Sequence, residues 1–141
     1  MISTKLSNRL VFIFSLLGLA VASFLFYEYT FSSSVYCLVG TGCNTVRNSP
    51  YASFFGISIP VWGVAYYLSM AFFSIIRTHN IGHKRFFYLQ VLGAAAGVAF
   101  GIYLTYLELF VIKAVCFWCV LSFTISILLL LSVILGYEKR N

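Results

Sequence analysis

The sequence predicts an all-α integral membrane protein, a bundle of four transmembrane helices with both termini in the cytoplasm. Its composition is the first observation: 62% of the 141 residues are hydrophobic and 9% are charged, whereas a soluble domain has about 45–50% apolar and about 25% charged residues. The second observation is that four runs of 18, 29, 22 and 24 residues carry no formal charge. About 20 apolar residues span a bilayer, so these runs consume most of the chain. They exclude a soluble enzyme and predict one membrane domain over 1–141.

The basic residues are the third observation, because they predict the topology. If the chain crosses the membrane four times, only Arg47 and Lys113 of its nine Lys and Arg residues fall on one side. Cytoplasmic loops carry the excess of basic residues, so the other side is expected to be cytoplasmic. The net charge of +6 is then a topology signal and requires no nucleic-acid partner. The residues on the predicted cytoplasmic side are Lys5, Arg9, Arg77, Lys84, Arg85, Lys139 and Arg140.

The elements are expected in the order helix, outer loop, helix, inner loop, helix, outer turn, helix. Ser, Gly, Thr and Asn, together with Pro50, predict the outer loop over about 31–56. Pro60 falls in the first turn of the second span, where proline is tolerated. The predicted spans are approximately 10–29, 57–77, 86–107 and 115–136.

The N-terminus admits a second interpretation. Ala20, Val21 and Ala22 follow a basic start and an apolar run, as at the cleavage site of a signal peptide. The hydrophobic run continues through Tyr27, which is long enough to span. A cleaved leader would leave the sidedness of the cysteines unchanged.

All four cysteines fall on the outer side of this topology. Cys37 and Cys43 lie in the outer loop, and Cys116 and Cys119 open the fourth span. An even number of cysteines on the oxidising face of a membrane is typical of disulfides. If they were ordinary small apolar residues, some would be expected in mid-span or on the inner side.

Cys116 and Cys119 form a C-x-x-C motif at the outer end of the fourth span. Positions i and i+3 share a face of a helix, so a modest adjustment closes a disulfide between them. The start of a helix and the C-x-x-C spacing both favour a reactive thiolate, to which Lys113 adds if it points the same way. We therefore predict a redox-active pair, with a structural disulfide as the alternative.

Cys37 and Cys43 lie in a loop whose glycines allow it to change conformation at low cost. Exchange requires that mobility, because the attacking sulfur must reach the bridge directly. Alone, this pair would indicate a structural staple, but beside a reactive C-x-x-C it predicts half of a relay. Five residues separate these two cysteines, outside the usual zinc-ligand spacing, and no metal is predicted.

Other residues give weaker signals. Gly93, Gly97 and Gly101 place small residues at every fourth position of the third span, which favours close helix packing or leaves room for a flat ligand. Glu28 and Glu108 are expected to be ordinary interfacial charges at the outer ends of their spans.

The order of span, C-x₅-C loop, two further spans and a last span opened by C-x-x-C resembles the vitamin K epoxide reductase family over nearly the whole chain. The segments that look most like that family are CNTVRNS at 43–49 and FGISIP at 55–60. The DsbB-type quinone-linked oxidants have the C-x-x-C in the first outer loop, the reverse of the order here. The resemblance implies a four-helix bundle around a quinone. It further implies that Cys119 faces the quinone, that Cys116 exchanges with Cys43 and that Cys37 meets the partner protein.

The resemblance also points to residues near the quinone. Ser49 takes the place of a serine or threonine that bacterial members carry six residues after the second loop cysteine. Vitamin K-reducing animal members have a tyrosine four residues after the second cysteine of C-x-x-C, where this chain has Phe123. They also use an asparagine near the quinone, and this chain has Ala52 at that place. Both changes remove a hydrogen-bond donor, which argues against vitamin K epoxide as the substrate.

The expected activity is that of a quinone-dependent thiol–disulfide oxidoreductase that supports disulfide bond formation. A separate thioredoxin-fold protein of the DsbA type, outside the membrane, would supply electrons, and ubiquinone or menaquinone would accept them. We expect a multi-pass protein of the plasma (inner) membrane whose active site faces the periplasm or the cell exterior. The alternative is a non-catalytic four-span scaffold or a small-solute transporter with structural disulfides, although the spans lack the central charge common in transport pathways.

Overall fold

The computed structural model describes residues 4–31, 45, 48, 50, 53–79, 83–114 and 117–140. Within them, four helices are long and apolar enough to cross a membrane, which confirms the predicted fold class of a helical membrane bundle. A two-stranded antiparallel hairpin precedes the second helix, and a π-helical turn continues the third. The elements are α1 (Thr4–Phe31), β1 (Ser53–Phe54), β2 (Ile57–Ser58), α2 (Ile59–Thr78), α3 (His83–Tyr106), the π-helical turn (Leu107–Ile112) and α4 (Phe117–Arg140).

The predicted spans agree with these helices and differ from them at the ends. The largest difference is at the start of α1, which begins at Thr4, whereas the first span was predicted from about 10; 57–58, predicted as the start of the second span, form strand β2. Phe55 and Gly56 both have positive φ, 53° and 78°. Two consecutive positive φ values form the tight turn that matches the twist of a hairpin, so the chain reverses before α2 begins. Pro60 lies in the first turn of α2, as predicted.

Polar contacts between helix ends show that α1 runs antiparallel to α2 and to α4. Near the start of α1, Asn8 donates from Nδ2 to Thr78 Oγ1 at 2.8 Å and to the Ser74 carbonyl oxygen at 3.0 Å, near the end of α2. Ser7 Oγ donates to the carbonyl oxygen of Ser132 in the second half of α4. The start of α1 therefore lies beside the ends of α2 and α4, at what we call the basic end of the bundle.

Arg77 joins α2 to α3 at the basic end. It was predicted as one of the charges that flank the spans, but its side chain is only 3% exposed. Arg77 Nη1 donates to Gln90 Oε1, and its guanidinium carbon lies 5.0 Å from the centroid of the Phe87 ring. A guanidinium over an aromatic face is attracted by the ring quadrupole, which helps to stabilise this buried charge. This contact also places the start of α3 at the basic end, with Lys84 and Arg85.

Tyr67 holds three helices together. It is 1% exposed, and its ring lies so close to Gly18 of α1 that a Cβ there would overlap ring atoms. Its hydroxyl donates to the Ser122 carbonyl oxygen of α4 at 2.9 Å and lies 2.9 Å from Ser122 Oγ and 3.2 Å from Ser126 Oγ. Glycine at residue 18 is therefore what allows α1 and α2 to approach closely.

Large apolar side chains cover the outside of the bundle. Leu17, Phe72, Leu92 and Leu131 are each at least half exposed, one from every helix. A soluble monomer rarely exposes so much contiguous apolar surface, whereas helices in contact with lipid do. The exposed surface therefore agrees with a protein that crosses a membrane.

Candidate active site

A cavity of about 300 Å³ lies between the helices in the half of the bundle away from the basic end. All four helices contribute to it: the second half of α1, the first half of α2, the second half of α3 and the first half of α4. Its volume is at the lower end of the range found for small-molecule sites. Most of its wall is apolar, with Leu25, Pro60, Phe100, Leu104 and Phe123 among its residues. Such a cavity suits a small, flat, apolar group.

Cys119 lies on the cavity wall in the first turn of α4. Its side chain is partly buried and packs against Leu25 of α1. Beside it, the Trp118 ring lies 4.9 Å from the Phe24 ring, which fixes this end of α4 against α1. The unpaired amide groups of a first helical turn favour the thiolate form of a cysteine. The structure therefore places one sulfur of the C-x-x-C where a reactive group would meet a bound molecule.

Five of the predicted site residues fall outside the residues that the structure describes, so both disulfide pairings and the zinc alternative stay untested. They are Cys37, Cys43, Ser49, Ala52 and Cys116. Phe123 is described, and it lines the same cavity as Cys119, one turn further along α4.

The glycines of α3 pack closely against neighbouring helices, and two of them line the cavity. Gly97 and Gly101 line the cavity, and a Cβ at either would overlap the ring of Tyr66 or of Phe123. Gly93 packs against α2, with its Cβ position 3.2 Å from Met70 Sδ. The glycine face thus packs against two helices and gives the cavity one smooth wall.

The β-hairpin closes one side of the cavity. Trp62 Nε1 of α2 donates to the carbonyl oxygen of Phe54 at 3.1 Å, which fixes the hairpin over the start of α2. The Phe54 ring then meets the Phe100 ring of α3 edge-on, with centroids 5.9 Å apart. The sequence predicted an outer loop over β1 and the start of a span over β2, since two-residue strands give too little alternation to be recognised.

Glu108 lies on the cavity wall, and its predicted role as an ordinary interfacial charge is wrong. Its side chain is 4% exposed. It belongs to the π-helical turn, which ends at Lys113 in a left-handed conformation. The carbonyl oxygen of Glu108 accepts the backbone N–H groups of Lys113 and Ala114. A π-helical turn rotates the following side chains relative to a regular helix, and nothing in the local sequence predicted it.

Tyr66 is another polar residue of the cavity that sequence reasoning missed. The available signal was the position of two tyrosines within an apolar span, because a buried tyrosine hydroxyl requires a partner. Which of the two hydroxyls would have no hydrogen-bond partner among the described residues could not be predicted from the sequence.

The chain matches the vitamin K epoxide reductase family over residues 9–134, nearly its whole length. It belongs to this family. The resemblance found in the order of spans and cysteines is thereby confirmed. A comparison with individually curated proteins gave no match.

Membership in the vitamin K epoxide reductase family makes the protein a multi-pass membrane thiol–disulfide oxidoreductase. The family is linked to quinones in general and works with thioredoxin-like partners. In this member, Cys119 and the apolar cavity lie together in the half of the bundle opposite the basic end.

Proposed function

We propose that this vitamin K epoxide reductase family protein passes electrons from a thioredoxin-fold protein outside the membrane to a membrane quinone, through two cysteine pairs. The observation that supports this most directly is that Cys119 lies on the wall of a mainly apolar cavity of about 300 Å³. The sulfur and the cavity together provide an electron donor and a place for an electron acceptor.

The residues of the cavity fit a quinone head group. The glycine face of α3 at Gly97 and Gly101 offers a smooth wall, and Phe100 and Phe123 offer aromatic surfaces to a flat ring. Among the few polar groups of the wall, the hydroxyl of Tyr66 can orient the ring through a carbonyl oxygen. A bound quinone supplies an acceptor for two electrons and two protons.

The cysteines carry the electrons to that acceptor in balanced steps. A thiolate of the reduced partner attacks Cys37 of a Cys37–Cys43 disulfide and releases Cys43. Cys43 attacks Cys116 of the Cys116–Cys119 disulfide and releases Cys119. The partner's second thiol then frees Cys37 and leaves the partner oxidised. Cys37 attacks Cys43 to re-form the loop disulfide, which leaves Cys116 and Cys119 as thiols.

Re-oxidation of the C-x-x-C completes the cycle. Cys116 and Cys119 form their disulfide again, and the two electrons and two protons that they lose are those that convert quinone to quinol. A DsbA-type partner has a reduction potential of about −120 mV, so its electron acceptor must be at least as oxidising. A lipid-soluble quinone meets that requirement.

Quinone consumption tests this function directly. The full-length protein in lipid nanodiscs is supplied with a reduced thioredoxin-fold dithiol protein and a ubiquinone or menaquinone analogue. We expect one quinone to be reduced for each partner disulfide formed, followed by the loss of quinone absorbance and by thiol counting. The matched control contains the same partner already oxidised and should consume no quinone. If no quinone is consumed and both cysteine pairs resist mild reductant, the scaffold alternative is correct.

The sidedness of the bundle is proposed from its charge. The basic end holds the start of α1 with Lys5 and Arg9 and the start of α3 with Lys84 and Arg85, so we place it in the cytoplasm. Cys119 then faces the periplasm or the cell exterior.

Thiol labelling of intact cells checks the sidedness. After mild reduction, a membrane-impermeant maleimide should label all four native cysteines from outside. A His79→Cys variant supplies the matched control, because His79 is exposed at the basic end and should label only after permeabilisation. Labelling of Cys116 or Cys119 only after permeabilisation would contradict the topology and the relay with it.

A further inference from the structure

One polar group of the cavity has no hydrogen-bond partner in the part of the chain that the structure describes. The hydroxyl oxygen of Tyr66 is buried and makes no hydrogen bond with those residues. Ser126 lies near it, but no hydrogen bond of good geometry joins the two hydroxyls, and Ser126 Oγ lies 3.2 Å from the Tyr67 hydroxyl. Buried hydroxyls are nearly always paired in folded proteins, so an unpaired one on a cavity wall indicates a ligand.

The Tyr66 ring is fixed from two sides. On one side it meets the Tyr67 ring edge-on, with centroids 4.9 Å apart. On the other side its Cζ and hydroxyl occupy the space that a Cβ of Gly97 would need. A ring held in this way presents its hydroxyl at a defined place and loses little conformational entropy when a ligand binds.

The hydroxyl lies deeper in the bundle than Cys119. Tyr66 approaches Ser126, which follows Cys119 by seven residues of α4. At 1.5 Å per residue, about 10 Å of helix axis separates the two levels, enough for one ring and its contacts. Phe123 lies between these levels and lines the cavity with no polar atom.

We infer that Tyr66 donates a hydrogen bond to the quinone carbonyl oxygen that lies further from Cys119, and so sets the orientation of the ring. This inference rests on the proposed function. The donor role that Phe123 cannot perform is thereby assigned to a different helix, α2. A donor aimed at this oxygen also stabilises the negative charge that develops there during reduction, which favours the reaction as well as binding.

Tyr66→Phe tests the assignment, and the neighbouring Tyr67→Phe is its matched control. Each removes one hydroxyl from an adjacent residue of α2. The full-length proteins in nanodiscs are titrated with a short-chain ubiquinone analogue, followed by quenching of Trp62 and Trp118, and their thermal unfolding is measured without quinone.

We expect Tyr66→Phe to weaken quinone binding about fivefold, which corresponds to about 1 kcal/mol. Its Tm without quinone should be unchanged or higher, because the lost hydroxyl had no partner among the described residues. Tyr67→Phe should show the opposite pattern, a lower Tm without quinone and a smaller change in affinity, since its hydroxyl bonds to α4.

A spectroscopic measurement adds a readout that would not change if Tyr66 had only a structural role. With a carbonyl-labelled quinone bound, the infrared stretch of one carbonyl should rise in Tyr66→Phe toward its value in an apolar solvent. Wild-type affinity and an unchanged stretch in Tyr66→Phe would overturn the inference, as would a loss of Tm equal to that of Tyr67→Phe. If the wild-type protein reduces quinone and Tyr66→Phe does so with equal KM, the inference alone fails. If the wild-type protein neither binds nor reduces quinone, the proposed function fails with it.

Discussion

Cys119→Ser is expected to lower the rate of quinone reduction by at least about 10³-fold, since removal of a reacting nucleophile can cost on the order of 10⁶-fold. Serine has nearly the same shape as cysteine, but its hydroxyl can neither form a disulfide nor give up electrons to an acceptor. The partly buried sulfur of Cys119 lies on the cavity wall, so the substitution removes the reacting atom from the place where the acceptor would bind. Steady-state quinone consumption with a reduced thioredoxin-fold partner measures the effect.

Two controls separate chemistry from structure in this experiment. Val120→Ala changes the next residue of the same helical turn, and its side chain is 44% exposed on the outside of the bundle, so turnover should stay near that of the wild type. Quinone binding to Cys119→Ser should also persist, because the wall of the cavity is otherwise intact. Retained quinone reduction in Cys119→Ser would show that another group is the electron donor.

The spans and the basic end could be predicted from sequence because the bilayer imposes a simple physical requirement. A run of about 20 uncharged residues satisfies its own backbone hydrogen bonds as a helix in lipid, whatever it packs against. Lys84 and Arg85 likewise report their side of the membrane through the positive-inside bias alone. Such properties depend on length, hydropathy and charge, all of which are local in the sequence.

The details of the cavity depend on tertiary contacts and could not be predicted in this way. Tyr66 and Tyr67 are adjacent and chemically identical, yet one hydroxyl bonds to α4 and the other has no partner among the described residues. The difference arises because consecutive helical residues point about 100° apart, so their surroundings depend on how α2 is rotated in the bundle. Glu108 is buried for a similar reason, since the π-helical turn sets its direction. Arg77 is buried because its guanidinium donates to Gln90 and lies over the Phe87 ring, both on another helix.

The roles of the loop cysteines lead to the second large effect, a trapped disulfide in Cys37→Ser. In the proposed order, Cys43 attacks Cys116, and Cys37 then resolves that bond by attacking Cys43. Removing Cys37 leaves the first step intact and eliminates the second. Given oxidised quinone, which keeps the C-x-x-C in its disulfide form, Cys37→Ser should therefore accumulate an internal Cys43–Cys116 bond and stop turning over. Peptide mapping under non-reducing conditions identifies the bond.

Cys43→Ser is the matched variant, because it removes the other thiol of the same loop. Each variant then has one cysteine in the loop and an intact C-x-x-C. With Cys43 absent, the loop cannot pass electrons on, and a bond between Cys37 and Cys116 should form rarely, since Cys37 is assigned to the partner protein. Efficient trapping of Cys37–Cys116 in Cys43→Ser, with nothing trapped in Cys37→Ser, would reverse the two assignments. If neither variant forms a bond between the pairs and both still oxidise the partner, electrons reach Cys119 without the loop, and the relay is wrong.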